Sequence, residues 1–356
     1  MREIVESRVC SSQRLNREES RWCLSDAGLW DLGRWTHAVR CSEHPPHRVT
    51  YQVDRNINYT NICISQCAFC AFHRPPGHPD GWTLTIDQVL VKIEETIAQG
   101  GTGILLQGGL NPQIPFEYYI DLLNAISVKY PEIHIHAFSP PEIAAFSRFY
   151  SMQTREILAK LIHAGLDSVP GGGAEILAEP TRTRVSPAKC TGSEWLEIMR
   201  TCHAMGLKTT ATMVIGLGEN IDERLEHLLS IRDLQDQTGG FTAFIPWTFQ
   251  SGNTRLAGRI EPVGGIEYLR TQAAARLILD NVPHHQVSLL TQGLRLGAAA
   301  LQFGADDFSS VMLEENVVAA AGTAVHRTEA QMRGLIVAAG FVPVKRLSLY
   351  QNILHA

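Results

Sequence analysis

The sequence predicts an α/β fold in which six to eight β–α units form a barrel. Short apolar runs of strand length alternate with longer amphipathic stretches of helical spacing. The chain has 356 residues, a length that α/β barrels often reach as one domain. Several predicted strands end in glycine-rich segments, which allow the backbone to approach a ligand closely. Because a barrel of this kind has its site at the carboxyl ends of its strands, we expect a ligand there.

A helical extension is predicted over residues 1–48, ahead of the barrel. From Asn16 onward, charged and apolar residues alternate at helical spacing, and the two prolines at positions 45 and 46 end this region. The barrel is predicted over residues 49–325. Residues 326–356 are predicted to form a C-terminal extension that packs on it.

The first predicted strand covers residues 49–53, where every second residue is apolar. Further strands are predicted at residues 104–107, 133–137, 167–169, 209–215 and 241–245, with weaker signals at 286–290 and near Ala305. Amphipathic helices are predicted between them, for example at residues 86–99, 117–128, 195–205 and 222–237.

Composition and charge exclude several classes of protein. Hydrophobic residues make up 44% and charged residues 19% of the chain, which is a globular composition. The net charge of -5 argues against a nucleic-acid-binding protein, because phosphate contacts need a basic surface. We find no apolar run of membrane-spanning length and no signal-peptide core at the N-terminus, so we expect a cytoplasmic protein.

Three of the eight cysteines, Cys63, Cys67 and Cys70, lie close together after the first predicted strand. Disulfide frameworks are typical of small secreted chains, so this cluster indicates a reducing compartment and a metal or cluster site. Three thiolates can bind three irons of a [4Fe–4S] cube and leave the fourth without a protein ligand. Zinc is the alternative, because His73 would complete a Cys₃His set. The chain would then be a zinc-stabilised binding module without catalysis.

The Cys-x₃-Cys-x₂-Cys spacing and five longer segments resemble the radical S-adenosylmethionine (SAM) enzymes of the futalosine pathway of menaquinone biosynthesis. These segments are residues 54–63, 106–112, 136–142, 169–177 and 238–249. The resemblance extends from Asn16 to the C-terminus and is strongest to the dehypoxanthine futalosine cyclase family, because of residues 238–249. It implies a TIM-like barrel, a [4Fe–4S] cluster on Cys63, Cys67 and Cys70, and SAM as a second cofactor.

The activity that this resemblance implies is the cyclisation of dehypoxanthine futalosine. A 5′-deoxyadenosyl radical would take hydrogen from the ribosyl C4′, and the carbon radical would attack the benzoate ring. An external one-electron reductant such as flavodoxin or ferredoxin would supply the electron. The sister reactions of aminofutalosine synthase and of an FO synthase subunit remain alternatives. Residues 216–219, Gly-Leu-Gly-Glu, lack the histidine that these sisters tend to carry.

The resemblance also implies cofactor-binding residues. Gln107 precedes two glycines where related enzymes contact the methionyl group of SAM, although a tight turn would need those glycines in any case. Glu175 follows three glycines and is expected to accept hydrogen bonds from the ribose of SAM. The alternative is an acid that interacts with a helix N-terminus. Phe72, just after the last cysteine, is expected either to contact adenine or to pack in the core.

Two residues are weaker candidates for the substrate site, and no residue is assigned as catalytic. Arg55 suits a carboxylate through its planar guanidinium, but it could equally pair with an acid outside the cavity. His136 alternates with His134 around Ile135, so both histidines point to one face of the sheet. His136 is expected near the cavity either as a proton-transfer group or as a rim residue.

Overall fold

The computed structural model describes residues 1–323 and 327–350, together with the backbone of residues 353 and 354. Three helices lead the chain: α1 (Arg2–Cys10), α2 (Arg17–Ser25) and α3 (Leu29–Glu43). α2 begins at Asn16, whose side chain accepts from the Glu19 amide while the Glu19 side chain accepts from the Asn16 amide. This reciprocal cap satisfies two amides that the first turn would otherwise leave free.

Seven parallel strands form the main sheet, in which strands are neighbours in their sequence order. They are β2 (Asp54–Asn58), β3 (Gly103–Gln107), β4 (His134–Ala137), β5 (Ser168–Val169), β6 (Lys208–Ile215), β7 (Phe241–Thr248) and β8 (His284–His285). A smaller sheet has the order β11-β10-β1-β9. Its strands are β1 (Arg48–Gln52), β9 (Asp307–Ser310), β10 (Val342–Arg346) and β11 (Ile353–Leu354).

The two sheets are joined at both edges. β1 and β2 follow each other with only Val53 between them. At the other edge, Gln286 bridges to Asp307, and the Val287 amide donates to the Asp307 carbonyl at 2.9 Å. β9 then pairs in parallel with β1. The parallel strands therefore close into a barrel, and the predicted fold class is confirmed.

Helices cover the outside of the barrel. They are α4 (Ile86–Ala98), α5 (Phe116–Lys129), α6 (Pro140–Phe149), α7 (Thr154–His163), α8 (Glu179–Val185), α9 (Gly192–Ala204), α10 (Ile221–Thr238), α11 (Gly265–Ile278), α12 (Leu289–Ala300) and α13 (Glu329–Ala338), with a short 3₁₀ turn at Ala319–Ala321. α4, α9 and α10 each begin with a capping box, at Thr85, Thr191 and Asn220. These caps fix where each helix starts after the preceding loop.

One weakly predicted strand is wrong in part. The apolar run at residues 286–290 was expected to be extended, but Leu289 and Leu290 are the first residues of α12. Short apolar runs suit a buried strand and a buried helix equally, so their pattern does not separate the two. The predicted boundary between the barrel and the C-terminal extension, after residue 325, lies outside the described residues. Beyond it, β10 pairs in parallel with β1.

The barrel interior is a cavity. Along β6 the side chains of Thr210, Thr212 and Val214 face it, whereas Ala211 and Met213 are buried against the helices. The cavity has a volume of about 400 Å³. Among the described residues, no helix combines the length and apolar character needed to cross a membrane.

Candidate active site

The cavity is lined at the carboxyl ends of the strands by the cysteine loop and two glycine-rich turns. The turns are Gly108–Gly109 after β3 and residues 171–173 after β5. From there the cavity continues through the barrel to Gln52 and Arg346 at the opposite end. The strand ends, where the site is predicted, therefore open into this cavity.

The thiols of Cys63, Cys67 and Cys70 all face this cavity. The loop that carries them follows β2 and is held by backbone bonds, from the Cys63 amide to the Arg74 carbonyl at 2.8 Å and from the Ala68 amide to the Val185 carbonyl at 2.8 Å. A Cβ on Gly109 would lie 2.2 Å from the Ile62 carbonyl oxygen, so only glycine allows the turn to pack on this loop.

The donor set suits an iron–sulfur cluster. Burial raises the pKa of the Cys67 thiol to about 11 and also raises the pKa of Cys70, so these two thiols stay protonated at neutral pH. A bound cationic metal reverses this preference and stabilises three thiolates at one place. His73 also lines the cavity, but its Nδ1 lies 2.9 Å from the Cys70 carbonyl oxygen and is occupied there.

Glu175 lies beside the cysteine loop in an unusual backbone conformation, with φ of +40°. Its Oε1 accepts from Lys189 Nζ at 2.7 Å, while its Oε2 is buried and has no hydrogen-bond partner in the described part of the chain. Lys189 Nζ also lies 5.2 Å from the centre of the Phe69 ring. Burial opposes the charge on Lys189, but attraction to Glu175 outweighs it and holds the Lys189 pKa above its usual range. The orphaned Oε2 is an acceptor available to a ligand hydroxyl.

Lys189 was not among the sequence candidates. It stands in the loop before the cap of α9, fourteen positions after Glu175, and nothing local in the sequence marks the pairing. Only the packing of the loop against the cavity brings the two charges together.

Gln107 ends β3 and lines the cavity. A Cβ on Gly172 would lie 2.7 Å from Gln107 Nε2, so the turns after β3 and β5 nearly touch across the strand ends. Phe72 also lines the cavity, and its ring meets Trp82 edge-on at 6.0 Å. Both the adenine-contact and the packing interpretations of Phe72 are compatible with this position.

A second residue that sequence reasoning missed is Glu142. Its Oε1 accepts from the Tyr59 hydroxyl at 2.7 Å and from the Gly108 amide at 3.0 Å, and its Oε2 accepts from the Ser139 amide and hydroxyl. Glu142 therefore fixes the turn after β3. The capping pattern Ser-x-x-Glu at residues 139–142 was a signal for part of this role.

Arg55 does not line the cavity. Its guanidinium points outward between Glu95, at 2.7 Å, and Glu314, at 3.0 Å, and it also donates to the Lys92 carbonyl. This placement corresponds to the expected alternative, a pair with acids outside the cavity. The reason is geometric, since neighbouring residues of a strand point to opposite faces and Asp54 and Asn56 take the inner one.

His134 and His136 do share a face, and both contact one hydroxyl. Ser168 Oγ lies 2.6 Å from His136 Nδ1 and 2.6 Å from His134 Nε2. His136 and Ser168 line the cavity. Burial lowers the pKa of His136 to about 3, so its ring is neutral at physiological pH.

These observations define the class of protein. Residues 57–231 match the family model described as the Radical SAM superfamily, and residues 238–355 match the model described as the CofH/MqnC C-terminal region. The fold is similar to that of the FeFe-hydrogenase maturase HydG from Carboxydothermus hydrogenoformans, with a TM-score of 0.76 and 16% identity over 98% of this chain and 80% of that one. Methylornithine synthase has a TM-score of 0.73 and 17% identity, over 95% of this chain and 97% of its own.

Similarity to individual enzymes places the chain in a smaller family within this superfamily. Cyclic dehypoxanthine futalosine synthase of Halalkalibacterium halodurans is 43% identical over 97% of this chain and 93% of its own length. The enzyme of the same name from Streptomyces coelicolor is 42% identical over 97% and 87%. Aminodeoxyfutalosine synthase of Thermus thermophilus is 37% identical over 98% and 95%. The chain belongs to the radical SAM superfamily and, within it, to the family that contains these futalosine enzymes. It is an enzyme that uses a [4Fe–4S] cluster and SAM.

Proposed function

We propose that this protein converts dehypoxanthine futalosine into cyclic dehypoxanthine futalosine in menaquinone biosynthesis. The observation that carries this proposal is the near full-length similarity to two enzymes of that name, at 43% and 42% identity. Aminodeoxyfutalosine synthases are 37% and 35% identical over similar lengths. The sister reaction therefore has the weaker support.

We assign the cofactor end of the cavity as follows. Cys63, Cys67 and Cys70 hold the cluster, since their thiols face the same space. When bound, the reduced cluster supplies one electron that cleaves SAM into methionine and a 5′-deoxyadenosyl radical. Glu175 accepts from the ribose hydroxyls of SAM through its orphaned Oε2, and Lys189 holds that carboxylate in place through a hydrogen bond to Oε1. The glycine turns let backbone amides approach the methionyl group.

The rest of the cavity suits a small organic substrate. Its volume of about 400 Å³ lies in the range of ligand pockets. Hydroxyl groups of Thr210, Thr212 and Ser168 line it, and the Trp247 ring offers an apolar face. A cyclisation within one molecule needs close approach of two atoms and exclusion of water, which an enclosed barrel provides.

We further propose that an external one-electron reductant, such as flavodoxin or ferredoxin, serves the enzyme, because no residue of the chain can supply that electron repeatedly. A reducing compartment is required by the cluster thiols, and this favours the cytoplasm.

The proposal is tested anaerobically with dithionite, SAM and dehypoxanthine futalosine that carries deuterium at the ribosyl C4′. We expect the label to move into 5′-deoxyadenosine, and the organic product to have the mass of the substrate less two hydrogens. A parallel reaction offers an enolpyruvyl acceptor in place of dehypoxanthine futalosine, because the aminofutalosine synthase reaction would join the adenosyl group to that acceptor. Detection of such an adduct by mass spectrometry would refute the cyclase assignment and leave the superfamily assignment intact.

A further inference from the structure

A row of hydrogen-bonding groups leads from the cavity to the protein surface across β4 and β5. His136 faces the cavity, and its Nδ1 lies 2.6 Å from Ser168 Oγ. The same hydroxyl lies 2.6 Å from His134 Nε2. His134 Nδ1 lies 3.9 Å from Asp167 Oδ2, and the Asp167 side chain is 47% exposed to solvent. The row therefore connects the barrel interior with water.

The row can carry a proton in one direction without rearranging any heavy atom. In the tautomers that this direction requires, His136 donates from Nδ1 to Ser168, Ser168 donates to His134 Nε2, and His134 keeps its own proton on Nδ1, towards Asp167. His136 Nε2 is then a free lone pair. It has no hydrogen-bond partner among the described residues and is not sealed from the cavity, since His136 is partly exposed there. A water bonded to both His134 Nδ1 and Asp167 Oδ2 would close the remaining gap of 3.9 Å.

We propose that His136 accepts the proton that the substrate ring releases during cyclisation, and that Ser168 and His134 pass a proton on to the surface at Asp167. This inference rests on the proposed function and adds to it a proton-transfer path within this chain. His136 is the group that touches the substrate, whereas Ser168 and His134 act through it.

The step balances as follows. A hydrogen atom leaves the ribosyl carbon for the 5′-deoxyadenosyl radical, and the resulting carbon radical forms a new carbon–carbon bond to the aromatic ring. The attacked ring carbon then carries both its own hydrogen and the new bond, so the ring is no longer aromatic and has an unpaired electron. Aromaticity returns when one proton goes to His136 Nε2 and one electron goes to a one-electron acceptor, either the oxidised cluster or the external redox protein. The product has lost two hydrogens in all.

A relay explains how a histidine whose surroundings disfavour a positive charge can take up a proton. Burial lowers the pKa of His136 to about 3, and the pKa of His134 is lowered for the same reason, so neither ring holds an extra proton well. The charges nearest to His136 are those of His134 on β4 and Arg346 on β10, and both disfavour a cationic ring. If Nδ1 releases a proton as Nε2 gains one, the ring stays close to neutral throughout.

Other acids that line the cavity are already engaged. Glu142 accepts four hydrogen bonds, Glu315 accepts from three backbone amides, and Glu175 pairs with Lys189. Asp54 accepts from Ser310 and Gln52. Each of these carboxylates has at least one fixed partner, and the unpartnered Glu175 Oε2 is assigned to the ribose of SAM, whereas His136 has a free nitrogen and a path outward.

The test compares variants in the reconstituted holoenzyme with SAM, dithionite and dehypoxanthine futalosine. The quantity measured is the ratio of cyclised product to 5′-deoxyadenosine, together with its solvent isotope effect in D₂O. We expect His136→Gln to form 5′-deoxyadenosine at nearly the normal rate while the ratio falls at least about tenfold, since positioned proton-transfer groups contribute about 10²–10⁴-fold. Ser168→Ala should lower the ratio in the same direction, and Ser168→Thr, which keeps the hydroxyl, should restore most of it.

His203→Gln is the matched control. His203 is also a partly buried histidine between two hydroxyls, those of Thr238 and Thr209 at 2.7 Å each, but it lies outside the cavity. Its variant should leave the ratio unchanged. The affinity for substrate is a readout that does not depend on turnover, and it is measured by equilibrium dialysis with oxidised holoenzyme. His136→Gln should change this affinity less than about twofold. Freeze-quench electron paramagnetic resonance should show a substrate radical that accumulates in this variant.

The outcomes separate the two proposals. If the wild-type enzyme gives no cyclised product, the proposed function and the relay both fail. If the wild type cyclises its substrate and His136→Gln keeps the same ratio and isotope effect, the relay alone is refuted. Loss of substrate binding or of 5′-deoxyadenosine formation in His136→Gln would also refute the relay, because His136 would then bind substrate rather than transfer a proton.

Discussion

Replacement of Glu175 by glutamine is the sharpest test of the cofactor end of the cavity, because it removes a charge and keeps the shape. Glu175 Oε1 is taken by Lys189, and Oε2 is buried without a partner among the described residues. A ligand hydroxyl that bonds to Oε2 therefore bonds to a carboxylate whose charge is only partly neutralised. In the variant, the same hydroxyl meets a neutral amide.

The expected loss follows from the strengths of the two kinds of hydrogen bond. A bond to a charged group contributes about 1.5–3 kcal/mol and a neutral one about 0.5–1.5 kcal/mol, so exchange at one ribose contact costs about 1–2 kcal/mol. That difference corresponds to a dissociation constant for SAM that is about 5- to 30-fold higher. Iron content should stay at the wild-type level, because the three cysteines are unchanged. Folding stability should fall, since Lys189 loses the charge of its buried partner.

Anaerobic isothermal titration of SAM into the reconstituted, oxidised protein measures this change. Glu219→Gln is the matched control, because Glu219 is a second buried carboxylate at a strand end. It accepts from the Gly216 and Leu217 amides and from Arg224, and it does not line the cavity. Its variant should lower stability without changing the affinity for SAM. If the dissociation constant of Glu175→Gln for SAM lies within about twofold of the wild-type value, the proposed contact with the ribose is wrong and Glu175 serves only to fix Lys189.

Two further predictions concern the cluster and the amino-terminal end of the barrel. Cys67→Ala should lose the cluster absorption and all 5′-deoxyadenosine formation. Cys190→Ala, which removes a buried thiol beside Arg182, should keep both. A Cys67→Ala protein that still forms 5′-deoxyadenosine would overturn the assignment of the cluster ligands. Burial alone would raise the pKa of Asp306, but His284 at 2.6 Å and Arg276 at 3.3 Å hold it below its usual range. The stability that this carboxylate contributes is therefore present above its unfolded pKa of about 3.9 and is lost as the pH falls below it. Asp306→Asn should lower the Tm at pH 7 and weaken the fall of the Tm with falling pH. A variant whose Tm matches that of the wild type from pH 3 to 7 would contradict this.

The barrel could be predicted because most of its strands show an ordinary periodic pattern. In β6 the buried and cavity-facing residues alternate, and the predicted range of 209–215 differs from Lys208–Ile215 by one residue. β2 (Asp54–Asn58) was not predicted because polar residues dominate it. Asp54 and Asn56 face the polar interior and Arg55 pairs with outside acids, so no apolar alternation marks the strand.

The site could be predicted only where its residues are close in sequence. Cys63, Cys67 and Cys70 share one loop, so their spacing alone indicates a common ligand. The pair of Glu175 with Lys189 depends on a loop that folds back over the cavity, and the two histidines meet Ser168 from a neighbouring strand. Such pairings depend on strand order and register, which a single sequence does not specify.

The position of the thiols also matters for chemistry that uses a carbon radical. A thiol hydrogen is easily abstracted, so a free cysteine in the cavity wall would quench the radical before it reached the substrate. Among the described residues, the thiols that face the cavity are those of the cysteine loop, and iron would bind all three. Cys202 is buried in α9, and Cys190 contacts Arg182 in the loop before that helix. Elsewhere the cavity walls carry hydroxyl groups, aromatic rings and aliphatic side chains, whose hydrogens are harder to remove than a thiol hydrogen. Under the proposed function, a cavity wall without a free thiol would leave the ribosyl carbon of the substrate as the preferred source of hydrogen for the radical.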